Sequence, residues 1–133
     1  MTTTATLQAW LALEHQAVWL YPVIGARFER LTERARDSYE NHLLDRDRLL
    51  GRLRDDGVVP VATALAYDVG PLDTPTLALS MARRLERSIA ATCLALAGQG
   101  SGDLRVLATV GLRRAALAEL TWGGNAKAFP GLP

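Results

Sequence analysis

Four stretches of this chain carry apolar residues at alternating steps of three and four, and each stripe has an acid or an imidazole set in its middle. In the first, Leu7, Leu11, Glu14, Val18 and Tyr21 share one helical face. The second reads Ala35, Tyr39, His42, Arg46, Leu49 and Leu53, widened by Leu43 and Leu50. The third reads Ala82, Glu86, Ile89, Cys93 and Leu96, and the fourth Ala108, Leu112, Ala115, Glu119 and Trp122. An ionised carboxylate taken out of water costs several kcal/mol unless it is paired or metal-bound. One polar group at the middle of every stripe therefore predicts four packed helices around a shared inward polar centre.

Local signals bound the helices at about 4–28, 32–54, 75–97 and 103–122, with a tail over 123–133. Any of Thr2 to Thr4 can cap the first helix. Pro22 lies inside it and predicts a kink at Leu20–Tyr21 or an early end near Gly25. The second helix stops before Asp55-Asp56-Gly57, and its outer face carries Glu33, Arg34, Asp37, Glu40, Asp45 and Arg48. Thr74-Pro75 is a cap followed by a first-turn proline. Asp103 is the expected cap of the fourth helix, which Gly123-Gly124 ends. Phe129 and Leu132 are expected to dock the tail on the bundle.

The segment of about 19 residues over 56–74 has no sustained period, and a connection of that length needs a reason. A helix of about 23 residues is about 35 Å long, and this segment can reach about 60 Å extended. It can return along the whole bundle, so the third helix can run parallel to the second. Short joints elsewhere make antiparallel hairpins. The expected fold is all-α: one ferritin-like antiparallel four-helix bundle over 1–133, with one long crossover between helices 2 and 3.

A di-iron bundle of that connectivity needs a Glu from each of two helices and a Glu-x-x-His pair from each of the others. Glu14 and Glu86 fill the single positions. Helix 2 supplies His42 but has Tyr39 where the first acid belongs. Helix 4 supplies Glu119 but has Trp122 where the imidazole belongs. His15 is a further imidazole off the stripe. The better reading is a buried polar network of Glu14, Tyr39, His42, Arg46, Glu86 and Glu119, with Arg46 neutralising the acids and Tyr39, Tyr21 or His42 hydrogen-bonded to them. No cofactor is expected. The alternative is a single iron or manganese on Glu14, His42, Glu86 and Glu119, in a degenerate oxidoreductase.

Further strings resemble a known family. EHQAVWLYPVIGAR in helix 1, His42-x-x-x-Arg46-Asp47, Pro60-Val-Ala-x-Ala-x-Ala-Tyr67 and the terminal Ala128-Phe-Pro-Gly-Leu-Pro133 look like the actinobacterial ferritin-like domains of unknown function. Pro22 stands where that pattern has glycine. The resemblance implies a ferritin-like four-helix fold with no established activity and no complete di-iron motif.

Composition narrows the partners. The formal charge is +1, and the basic clusters Arg83-Arg84-Arg87 and Arg113-Arg114 are interleaved with acids, so they read as solvated faces and no nucleic acid is expected. No Gly-rich phosphate loop or nucleophile–base constellation is present. The apolar windows Val58–Ala66 and Ile89–Ala97 are shorter than the roughly 18 residues of a membrane span. The N-terminus has no basic region ahead of an apolar run, and Cys93 is the sole cysteine, on an apolar stripe. The expected setting is the cytoplasm, without a membrane. Helix 1 is apolar nearly all round, and Trp19, Leu20 and Val23 predict a homodimer through it. The expected role is a non-catalytic binding or interaction module whose protein or small-molecule partner the sequence does not identify.

Overall fold

The computed structural model describes residues 1–133 and contains four α-helices and no strands. They are α1 (Thr3–Arg27), α2 (Thr32–Asp55), α3 (Pro75–Gln99) and α4 (Gly102–Thr121), with a one-turn 3-10 helix, Glu29–Leu31, between α1 and α2. Thr2 caps α1, its hydroxyl accepting from the Ala5 N–H at 3.0 Å. Thr74 caps α3 in the same way at Leu77, with Pro75 in the first turn. Asp103 does not cap α4. Ser101 holds that position without a side-chain bond, and Asp103 sits inside the first turn, where its charge complements the helix dipole. Nor does α1 end at Gly25. It continues through Pro22 to Arg27, held by the Phe28 N–H on the Ile24 carbonyl and by the Thr32 hydroxyl donating to the Gly25 carbonyl at 2.7 Å.

Side-chain pairs give the register. On α1 and α2, Gly25 packs against Thr32 and Ala35, and Glu14 meets His42. On α1 and α3, the Thr6 hydroxyl donates to Gln99, and Tyr21 meets Glu86. On α3 and α4, Cys93 lies beside Gly111, and Arg87 pairs with Glu119. On α2 and α4, Asp45 pairs with Arg114, and Ser38 accepts from Trp122.

Residues 56–74 lie beside α1 in ascending order. The Gln8 amide donates to the Val59 carbonyl and accepts from the Val61 N–H, both at 2.8 Å. His15 Nε2 donates to the Val61 carbonyl at 3.0 Å. Trp19 and Tyr67 meet with ring centroids 6.0 Å apart, and Arg27 donates to the Leu72 carbonyl. From 59 to 73 no backbone group bonds another backbone group. This segment is therefore held by α1 side chains rather than by secondary structure of its own.

One core of 24 buried apolar residues draws on all four helices and on Leu31 and Leu72. Burial of this kind drives the fold, at roughly 25 cal/mol per Å² of apolar surface. Part of the apolar excess of α1 is taken up within the chain: Leu20 is fully buried, and half-buried Val23 and Trp19 pack on the core and on Tyr67. The tail behaves otherwise than expected, with Phe129 73% and Leu132 52% exposed. Its contact is made by Gly131 at φ +90, where an added Cβ would stand 2.8 Å from the Ala90 carbonyl oxygen. Only a glycine approaches α3 that closely. No helix is long and apolar enough to cross a membrane.

Candidate functional site

Glu14 from α1, His42 from α2 and Glu86 from α3 meet at the centre of the bundle. The two glutamates are 0% exposed and the imidazole 5%. His42 Nδ1 stands 2.5 Å from Glu14 Oε2, and its Nε2 stands 2.7 Å from Glu86 Oε1. Tyr21 donates its hydroxyl to Glu86 Oε1 at 2.6 Å, and the Trp10 indole N–H donates to Glu14 Oε1 at 2.8 Å. Stacking fixes the ring planes, with the Tyr21 centroid 5.3 Å from that of His42 and 5.2 Å from that of Trp122. Three of the four carboxylate oxygens are thus satisfied. Glu86 Oε2, also buried, has no hydrogen-bond partner.

Both ring nitrogens of His42 face acceptors, so both are satisfied when the ring carries two protons and donates twice. Burial opposes that charge, but Glu86 and Glu14 outweigh it and hold the imidazole well above its ordinary value. Burial also raises the Glu14 carboxyl, against the opposing pull of His42. The Tyr21 hydroxyl is pushed up by burial and then by Glu86, and stays a donor. The centre is an imidazole held between two carboxyl groups, beside the aromatic rings of Trp10, Tyr21 and Trp122.

Three residues expected in this network lie outside it. Arg46 is half-buried at the flank and pairs with exposed Asp47 at 2.9 Å, so it neutralises none of the buried acids. Tyr39 is only partly buried and bonds none of them. Glu119 is buried but turned away, accepting from Arg87 Nε at 2.5 Å with Lys127 at 4.0 Å. In place of Tyr39 and Arg46, α2 turns Ser38 and Asp45 inward. Asp45, expected on the solvated face, is 6% exposed, where Arg114 of α4 and Arg48 bind it. The inward stripe of α2 is Ala35, Ser38, His42, Asp45, Leu49 and Leu53, a few tens of degrees round from the apolar-weighted one. Satisfied polar groups decided that rotation: Trp122 donates to the Ser38 hydroxyl at 3.0 Å. His15 is occupied by Val61 at the surface segment and takes no part in the centre.

Could a metal sit here? One imidazole, with both nitrogens taken by carboxylates, does not fit a two-metal centre, and Glu119, bound to Arg87, is not free as a ligand. Glu14, His42 and Asp45 do have potential ligand atoms within 4.8 Å of one another. To use them, His42 would have to release the proton on one ring nitrogen to solvent and offer that lone pair, and Asp45 loosen its guanidinium partners.

α4 packs on α3, and towards α2 it leaves a cleft of about 350 Å³ whose lining includes Glu14, His42, Asp45 and Glu86. Gly111 permits the close approach of α4 to the centre, since a Cβ there would stand 2.4 Å from Trp10 Cζ2 and 2.9 Å from Cys93 Sγ. Cys93 is itself fully buried, and burial pushes its thiol up out of the reactive range.

No curated protein matches the chain. Among solved structures, a conserved hypothetical protein, rv2844 from Mycobacterium tuberculosis, superposes with a TM-score of 0.86 at 24% identity, over 96% of each chain. That likeness concerns the fold. A family model matches residues 6–133, and the chain belongs to that family, DUF4439, a domain of unknown function.

Proposed function

We propose that this protein is a ferritin-like bundle of actinobacterial type that works as a non-catalytic binding module in the cytoplasm, with a proton on His42 in place of a metal. The register supports the topology. Pairs between α1 and α2, α1 and α3, α2 and α4, and α3 and α4 all rise on one helix as they fall on the other. That ordering corresponds to α2 and α3 running parallel, with 56–74 as the single crossover.

One observation carries the functional reading: each ring nitrogen of His42 is engaged by a different buried carboxylate. An imidazolium fixed in this way has no lone pair for a metal and cannot itself serve as a general base. It leaves a rigid, stacked centre at the floor of a cleft, which suits recognition of a ligand better than turnover of one.

The second reading, a mononuclear iron or manganese oxidoreductase, rests on the mutual proximity of Glu14, His42 and Asp45. Melting curves separate the two. Wild type, Glu14→Gln and His42→Ala are compared with EDTA and with ferrous or manganous ion. Flat metal responses in all three are expected. A rise of many degrees in the wild-type midpoint, absent from both variants, would overturn the proposal, because a ligand of the folded state stabilises by mass action.

A further inference from the structure

The cleft between α2 and α4 has an acceptor at its floor that nothing in the chain satisfies. Glu86 is fully buried and lines the cleft, yet its Oε2 receives no hydrogen bond. Buried polar oxygens are nearly always paired, with protein or with something bound. The charge count points the same way. At the floor Glu14 and Glu86 share a single possible cation, His42, so when both are ionised one negative charge is left over even with the imidazole protonated. Asp45 is already matched by Arg114 and Arg48, and Arg34 is drawn over the face of Trp122, 5.5 Å from the ring centroid. The excess therefore belongs to the Glu14–His42–Glu86 floor and to exposed Asp37 at the rim. One strip of the lining is apolar: Ile89 is buried, and Ala118 and the 54% exposed Leu117 continue it outward, beside polar Ser38, Asn41 and Thr121.

A complementary ligand carries one positive charge, at least one N–H donor and a short apolar chain. We propose that the cleft binds a small primary alkylammonium, whose nitrogen donates to Glu86 Oε2 while its chain lies along Ile89, Ala118 and Leu117. This rests on the binding-module reading and names the ligand class for the same site. About 350 Å³ lies near the lower end of ordinary small-molecule pockets and suits a compact amine. An inorganic cation would satisfy the charge but not use the apolar strip, and a water would satisfy the oxygen but not the charge.

Titration calorimetry and melting curves with n-butylammonium chloride test it, beside tetramethylammonium chloride, n-butanol and potassium chloride at matched ionic strength. Wild type should bind n-butylammonium at least tenfold more tightly than tetramethylammonium, which has the charge without an N–H. Butanol and potassium should leave the midpoint unmoved. Glu86→Gln, which keeps the shape and loses the charge, should weaken butylammonium at least tenfold. Asp37→Asn, at an exposed position that cannot disturb the core, should weaken it about threefold. No response of wild type to butylammonium overturns the proposal and leaves water as the occupant. An equal response to potassium overturns it in favour of an adventitious monovalent cation, and unchanged affinity in both variants overturns it outright. The metal experiment above reads a different ligand on different variants, so its failure and this one are told apart.

Discussion

Glu14 and Glu119 hold equivalent places in their helices, each an acid inside an apolar stripe, yet they live in different electrostatic surroundings. Glu14 is 0% exposed and meets an imidazole that is buried too. Glu119 is 6% exposed and meets Arg87, whose side chain is 52% exposed, with Lys127 nearby. At the centre neither partner keeps water, so charge can be held only by other fixed groups. At the rim the guanidinium stays hydrated, and the pair is an ordinary surface ion pair with one sheltered end. The same pattern letter in a sequence thus covers two energies, and the solvation of the partner decides between them.

The contrast breaks most sharply at His42. Removing it leaves two buried carboxylates facing each other without a cation, and His42→Ala should cost roughly 3–5 kcal/mol in denaturant unfolding. A cost below about 1 kcal/mol would mean the centre is hydrated like the rim. Gly111→Ala comes next, since its Cβ would meet Trp10 at 2.4 Å, and overpacking of this kind costs roughly 1–3 kcal/mol. A neutral result there would show that Trp10 can move and that its bond to Glu14 is dispensable.

The pH dependence of stability distinguishes the regions next. Glu14 and His42 both bind protons more tightly in the folded state than in the unfolded chain. Stability therefore falls as pH rises, because the folded form holds the extra protons. The Glu14 contribution is fully present below its ordinary value of 4.5 and the His42 contribution below 6.5, each being lost as pH climbs through the raised folded value. Melting midpoints should drop from neutral into alkaline pH, and the drop above pH 6.5 should flatten in His42→Gln. A midpoint that rises over this range would show that His42 is neutral in the fold.

The smallest effects belong to the rim. Glu119→Gln should cost about 1 kcal/mol or less and be blunted by salt, given the hydration of Arg87. Arg46→Ala, on a pair with 61% exposed Asp47, should fall within about 0.5 kcal/mol of wild type. Strong destabilisation by Arg46→Ala would return Arg46 to the buried network and undo the assignment of Asp45.

Element positions were legible because caps and periods act locally. Thr2, Thr74-Pro75 and the glycine breaks are decided within a turn of the chain, and the helices stand within about two residues of where those signals put them. Glu14, His42 and Glu86 were legible as inward groups because a polar residue among core residues stands out against a helical period. The α2 rotation was not. Tyr39 and Arg46 are at least as suited to a half-apolar stripe as Ser38 and Asp45, and the choice turns on Trp122 and Arg114, about 84 and 69 residues away.

What the sequence by itself determined was four amphipathic helices, their ends, and an acid or imidazole carried inward by three of them. Only the tertiary structure decided which polar groups meet. It set Arg87 on Glu119, turned Asp45 to Arg114 and left Glu86 with one oxygen unanswered over a cleft. The physical reason is range: a period and a cap are properties of neighbouring residues, whereas the partner of a buried charge is chosen by the packing of helices far apart in the chain.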